Sequence, residues 1–305
     1  MRILLTGATG VIGRRAVPLL LADGHEVTAA VREAGRGAGL GRLGATCIPV
    51  DLLDPGGLKR ALDGHEAIIN LATHMPQSAW RMLWRSAWRM NDRVRREGAA
   101  NVAAAARAAG VRLLLQESFA LAYPDGGDRW IDEHTALAPA AYNATVLDAE
   151  RAAAAFAGDG RRALVLRFAA FYGPDALQTR AYLANVRRGW AALPGGPDRF
   201  VSSISHDDAA SAVVAALAAP SGAYNVTDDE PVRLAAFSEA IARAIGARTP
   251  RPIPAWLTPL LGSVAKAMSR SLRLSNRKLK EATGWTPRYP SVREGWPATI
   301  AEMTP

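Results

Sequence analysis

The sequence predicts an α/β protein built on a doubly wound parallel sheet, with a smaller C-terminal lobe for substrate. Three observations predict it. The N-terminus reads strand, glycine turn, helix, strand. Apolar runs and helical stretches alternate along most of the chain, the pattern of a parallel sheet covered on both faces. Pro- and Gly-rich segments at 173–204 and 227–262 break that alternation. The expected division is therefore 1–172 with 205–226 for the sheet domain, and 173–204 with 227–305 for the second lobe.

Residues 2–6, RILLT, are the first apolar run. GATGVIG, Gly7 to Gly13, follows, then RRAVPLLLADGHE and a second run, EVTAAV at 26–31. The lengths suit a βαβ crossover. Gly7 lets the chain turn tightly out of the strand. Gly10 lets backbone approach a pyrophosphate with no Cβ in the way, and Gly13 permits close helix–strand contact. The helix N-terminus offers free N–H groups and a partial positive charge to phosphates. The turn thus predicts a dinucleotide site of Rossmann type, with Gly7, Thr9, Gly10, Val11, Ile12 and Gly13 as contacts. The end of the second strand selects the cofactor. An acidic residue there would bind the ribose 2′-hydroxyl, but the chain has Val31-Arg32. A guanidinium pairs with a 2′-phosphate, so Arg32 predicts NADP over NAD. Glu33 follows it and can still reach a ribose.

Composition narrows the class. At 305 residues and 49% hydrophobic, the chain can bury a large core. Cys47 is the sole cysteine, which rules out an intrachain disulfide and fits a reducing, cytoplasmic setting. MRILLTGATG is too short and too glycine-rich for a signal peptide. No uncharged apolar stretch of about 18 residues suggests a membrane span. The net charge of +9 comes almost wholly from arginines spread along the chain, with no basic run of five or six, so a nucleic-acid partner is not expected. His25, His65, His74, His134 and His206 show no metal-ligand spacing. No G-x-S-x-G elbow marks a hydrolase. The alanine-rich stretch 99–109 reads as an ordinary helix.

The spacing G-x-x-G-x-x-G resembles the extended branch of the short-chain dehydrogenase/reductase superfamily, which includes nucleotide-sugar epimerases, dehydratases and related reductases. Later segments resemble that branch in order. CIPVDLLD (47–54) resembles its third strand, with Asp51 reaching the adenine amine and Leu52 beside it. AIINLAT (67–73) resembles the fourth strand and the turn at the cofactor, Leu71, Ala72 and Thr73. RLLLQESFALAYP (112–124) resembles the fifth strand, which carries the catalytic serine or threonine. ALVLRFAAFYGPD (163–175) resembles the sixth strand and the entry to the substrate lobe, with Phe168 at the cofactor. VSSISHDDAASAVVAAL (201–217), AYNVTDDEPV (223–232) and NRKLKEATGWTPRYPSVREG (276–295) resemble the returning elements, with an aspartate of His206-Asp207-Asp208 capping a helix. The resemblance implies a small-molecule substrate, a cleft bordered by residues 71–80, 116–123 and 168–174, and a homodimer through the fourth and fifth helices.

It also implies a catalytic group of tyrosine, lysine four residues on, serine or threonine, and asparagine. YNATV (142–146), followed by LDAE, aligns Tyr142 with the tyrosine and Val146 with the lysine. The serine place falls on Phe119, with Ser118 one residue away and Glu117 two. The asparagine place falls on Arg95. Lysine occurs only at 59, 266, 278 and 280, so no local shift restores it. An unperturbed phenol has a pKa near ~10. A cation about 4 Å away contributes up to roughly 4 kcal/mol at an effective dielectric near 20, equivalent to about three pKa units. Valine supplies none. Tyr142 is thus expected to be a poor base at neutral pH, and a better acid during reduction. Arg95 and Arg167 are candidate substitute cations, and Glu117 a candidate carboxylate acid/base. The catalytic candidates are Tyr142, Ser118, Glu117 and Arg95, with His74 beside the cleft.

Trp80, Trp84 and Trp88 fall at helical spacing, beside Arg81, Arg85 and Arg89. They predict one helix stripe, serving as core or as a wall for an aromatic or hydrophobic substrate. The functional expectation is an NADP-dependent oxidoreductase or epimerase-like enzyme with a non-standard proton relay. Two alternatives stay open: a non-redox cyclase or lyase, and a non-catalytic NADP-binding regulator.

Overall fold

A computed structural model describes residues 1–76, 78–82, 84–253 and 262–303. Its centre is a sheet of seven parallel strands. The first five in chain order are β1 (Arg2–Thr6), β2 (Glu26–Val31), β3 (Thr46–Pro49), β4 (Ala67–Asn70) and β5 (Leu113–Phe119); strands Arg162–Phe168 and Gly222–Val226 complete it. In space, β3, β2 and β1 run to one side and β4, β5, Arg162–Phe168 and Gly222–Val226 to the other. The order reverses between β1 and β4, where Ile3 pairs with Ala67 and Thr6 with Asn70. A crevice opens beyond the carboxyl ends of strands at such a switch point.

The strands are buried on both sides, and their apolar residues divide by parity. Ile3, Leu5, Ile69, Leu115 and Leu166 join one core cluster with helix α1 (Gly13–Ala22) and helix His206–Ala216. Leu4, Ile68, Leu114 and Val165 join a second cluster with helices Ala99–Ala108 and Val146–Phe156. A third cluster surrounds Trp296, which stacks on Tyr172 with ring centroids 5.4 Å apart and takes the edges of Tyr182 and Phe237. Removing an indole buried this completely costs roughly 3–5 kcal/mol. No helix among the described residues is long and apolar enough to cross a membrane.

Two local expectations are corrected. The tryptophans and arginines of the expected stripe do not share one helix. A short helix, Ala79–Met82, gives way to an extended Trp84, then a 3₁₀ turn over Arg85–Trp88 and helix Arg89–Arg93. Trp84 is 69% exposed and Trp88 2% exposed, so they share no stripe; the side chain of Trp80 lies outside the described residues. Burial of Trp88 against Tyr142 outweighs the local helical spacing, and its indole N–H donates to Met82 O at 2.9 Å, satisfying a carbonyl freed by the break. Second, the cap of helix His206–Ala216 is Ser205, not an aspartate. Ser205 Oγ accepts from Asp208 N at 3.0 Å and donates to Asp208 Oδ2 at 2.8 Å. Asp208 is then free to receive Arg288 N and Tyr289 N.

Candidate active site and cofactor cleft

The glycine turn forms one wall of the crevice. Gly7 has φ +71°, and a Cβ there would lie 2.6 Å from the carbonyl of Leu71 at the end of β4. A Cβ on Gly13 would lie 2.2 Å from Gly7 O. These two positions admit no side chain, whereas Thr9 and Gly10 face solvent. Helix α1 has no side-chain cap and no acidic residue in its first turn. Its leading end therefore stays electropositive and open to an anion.

The other expected contacts follow the same edge. Arg32 is exposed at the end of β2, with Nη1 3.5 Å from His74 Nδ1. Glu33 turns to Arg36, at 3.4 Å. Asp51 is exposed and one of its oxygens accepts from Leu53 N. Leu52, Leu71 and Ala72 are half-buried and Thr73 is exposed. Phe168 differs: its ring is 1% exposed, packed against Phe171 within the core, so it does not line the crevice.

Beneath the crevice a hydrogen-bonded chain crosses three strands. Thr6 Oγ1 donates to Asn70 Oδ1 at 2.5 Å, Asn70 Nδ2 to Gln116 Oε1 at 2.8 Å, and Gln116 Nε2 to Glu117 O at 2.9 Å. It fixes the ends of β1, β4 and β5 relative to one another. A second buried chain holds Ser118. Its Oγ donates to Glu150 Oε1 at 2.5 Å, and Glu150 takes Arg167 through both oxygens, at 2.9 and 2.7 Å. Arg167 Nη1 donates to Tyr123 OH, which donates to Asn225 Oδ1. Ser118 and Arg167 are thus committed to Glu150 and Tyr123, away from Tyr142.

Tyr142 lies in the turn before helix Val146–Phe156, 5% exposed, with its ring edge-on to Trp88. Val146, one turn on, is wholly buried. Burial pushes the Tyr142 phenol up to about 12, against the opposing pull of the Arg95 and Arg270 guanidiniums. Lys278 and Lys280 are engaged elsewhere: Lys278 Nζ with Ala223 O and Lys280 Nζ with Asp229 Oδ1.

Arg95 is 4% exposed and sits in a π-helical turn, Val94–Gly98, that joins helix Arg89–Arg93 to helix Ala99–Ala108. Such a turn widens the backbone and is a frequent mark of function. Arg95 Nη2 donates to Glu117 Oε1 at 2.8 Å. Two residues with no motif spacing join this group: Asn91, one turn before Arg95, and Asn143, next to Tyr142, both 0% exposed. Neither offered a sequence signal: Asn91 lies in the charged run RMNDRVRRE and Asn143 in the loop AAYNATV.

Comparison with known proteins fits this geometry. Residues 7–220 match the family model described as NAD(P)H-binding. Over 97% of its length the chain is 35% identical to a 3-diazoavenalumate denitrifying reductase from a Streptomyces species, covering 99% of that protein. It belongs to this NAD(P)H-binding family. Within that family, 29% identity over 88% of the chain links it to a 2-alkyl-3-oxoalkanoate reductase from Shewanella oneidensis, of which 72% is covered. The fold superposes on human epimerase family protein SDR39U1, solved with NADPH, with a TM-score of 0.83 over 99% of both chains at 22% identity. Family membership gives the chain NAD(P) binding and an oxidoreductase- or epimerase-like role. The Gly7 and Gly13 contacts and the uncapped α1 terminus are what a pyrophosphate needs, so the residues present fit the cofactor.

Proposed function

We propose that the chain is an NADPH-dependent reductase that passes hydride to an electrophilic carbon of a small aromatic or otherwise apolar molecule, without a tyrosinate base. The observation that carries this reading is the buried Tyr142 phenol, held near 12, with the buried Val146 where the family places lysine. When bound, the cofactor supplies the hydride. Arg32, ending β2 in place of an acidic residue, supports NADPH as the form used, with Glu33 turned toward Arg36.

At pH 7 only roughly one phenol in a hundred thousand would be ionised at such a pKa. Tyr142 therefore cannot serve as the base for alcohol oxidation. It remains able to donate a hydrogen bond where negative charge develops on an oxygen during reduction. Substrates that carry their own leaving group ask less still. The Streptomyces relative's name joins a diazo substrate to a denitrifying reduction. For this chain we read the same class: hydride forms a C–H bond as the C–N electron pair of an aryl diazonium carbon departs with dinitrogen. No proton is delivered to carbon.

The test is single-turnover NADPH oxidation with an aryl diazonium acceptor, comparing the parent with Tyr142→Phe. Retention of the rate within about threefold is expected, against the 10²–10⁴-fold cost of losing a general acid–base. A loss in that larger range would overturn the reading. Calorimetry with NADPH, NADH and ADP checks the cofactor separately.

A further inference from the structure

Buried polar atoms without a partner concentrate beside Tyr142. Among the described residues eleven such side-chain atoms occur, and five belong to this one neighbourhood: Asn91 Nδ2, Arg95 Nε, Glu117 Oε2, and both Nδ2 and Oδ1 of Asn143. A buried polar group left unpaired is costly, so a concentration of them asks for an occupant. Position ties the group together. Arg95 bonds to Glu117 at 2.8 Å and acts electrostatically on the Tyr142 phenol. Asn91 stands one turn before Arg95 on a continuous helical segment, and Asn143 follows Tyr142. Asn91 is oriented: its Oδ1 accepts from His74 N at 3.0 Å, which leaves the amide N–H as the open function.

We propose that Asn91, Arg95, Glu117 and Asn143 form the polar end of the substrate site and take a hydroxyl group carried on an apolar ring. This rests on the reductase reading above. The open atoms comprise three donors and two acceptors, one of the acceptors a carboxylate oxygen. A carboxylate or phosphate brings acceptors only and would face Glu117 Oε2. A hydrocarbon or an ether leaves the acceptors unpaired. A hydroxyl donates to Glu117 Oε2 or Asn143 Oδ1 while accepting from Asn91, Arg95 or Asn143. The surroundings are apolar: Trp88, Tyr142, Val264 and Ala267 pack there, with Met82, Ala140 and Met268 against them. Residues 71–76 have no regular structure, and His74 within them touches Asn91.

The experiment measures binding, without turnover, to the protein saturated with NADP⁺, using 2-naphthol, 2-methoxynaphthalene and 2-naphthoate. The expected order is naphthol tightest, at least about tenfold over the ether, with naphthoate weakest. Glu117→Gln replaces an acceptor by a donor-bearing amide, so the preference for naphthol over naphthoate should fall by about tenfold or reverse. A merely structural lesion would weaken all three alike. Asn143→Leu is the second variant. If its open amide serves a ligand, the leucine protein melts no lower than the parent yet binds naphthol about tenfold more weakly. Equal binding of all three probes by the parent, or unchanged naphthol binding in Asn143→Leu, would overturn the proposal. Because no hydride moves, selective naphthol binding alongside failed diazonium reduction would sink the reaction reading and leave this site standing.

Discussion

Trp88 meets Tyr142 edge to face, ring centroids 4.8 Å apart at 61°. The contact seals the phenol in an apolar cluster and sets its proton affinity. Tyrosinate absorbance, taken as the difference between the parent and Tyr142→Phe, should place the midpoint near 12. Trp88→Ala admits water and should bring it down toward the ordinary ~10. A midpoint near neutrality in the parent would require a cation beside the phenol and would contradict this account.

The close approach of Gly7 to Leu71 yields a backbone prediction. Gly7→Ala must hold a side chain at φ +71° and push a methyl group into the Leu71 carbonyl. The conformational cost alone is roughly 1–2 kcal/mol. Melting should fall accordingly, and calorimetry should show no NADPH binding. A variant that melts and binds like the parent would remove the argument for this turn.

Glu150 and Arg167 are 13% and 9% exposed as side chains and bonded through both carboxylate oxygens. Breaking such a pair leaves a buried charge. Glu150→Gln should lower unfolding free energy by about 3–5 kcal/mol in denaturant titrations. A loss under about 1 kcal/mol would mean the chain from Ser118 to Asn225 is not a structural brace.

His206 gives a pH dependence. Burial, with Arg15 and Arg14 nearby, pushes its imidazole down to about 3, so the folded state holds it neutral, with Nδ1 3.0 Å from Asp175 Oδ1. The unfolded chain protonates near ~6.5. Stability from this group is therefore complete above about pH 6.5 and is lost as pH falls toward 3. The loss is no more than about 4 kcal/mol, since a charged ring would recover part of it through Asp175. His206→Gln should flatten the melting curve over this window; an equal acid slope in both proteins would contradict it.

Arg32 decides the nucleotide. Arg32→Ser should raise the NADPH dissociation constant by at least about tenfold, the worth of one charge-assisted hydrogen bond, and leave NADH nearly unchanged. Equal effects on both would assign the arginine to adenine rather than to the 2′-phosphate.

Local signals explain what the sequence revealed. β1 and β2 fall on the apolar runs 2–6 and 26–31, because those strands are bounded by glycine turns inside one βαβ unit. The tight approach of Gly7 to Leu71 and of Gly13 to Gly7 follows from the same unit. Where tertiary contact decided, the reading failed. The helical spacing of Trp84 and Trp88 yielded to a contact with Tyr142, more than fifty residues away. The brace from Ser118 through Glu150, Arg167 and Tyr123 to Asn225 joins residues 17 to 102 positions apart, beyond any motif. Asn91 and Asn143 carry no spacing at all; only buried amide atoms without a partner, Nδ2 of Asn91 and both Nδ2 and Oδ1 of Asn143, distinguish them.

Asp175 touches Arg14 and Arg15 of helix α1 and His206 of the helix that follows the returning strand. One carboxylate thus rivets the phosphate-facing helix to the polypeptide leaving the sixth strand of the family pattern. The two flanks of the crevice are unequal: this side is bolted by a shared carboxylate, whereas His74 on the opposite bank is held by hydrogen bonds to Asn91 and Arg32.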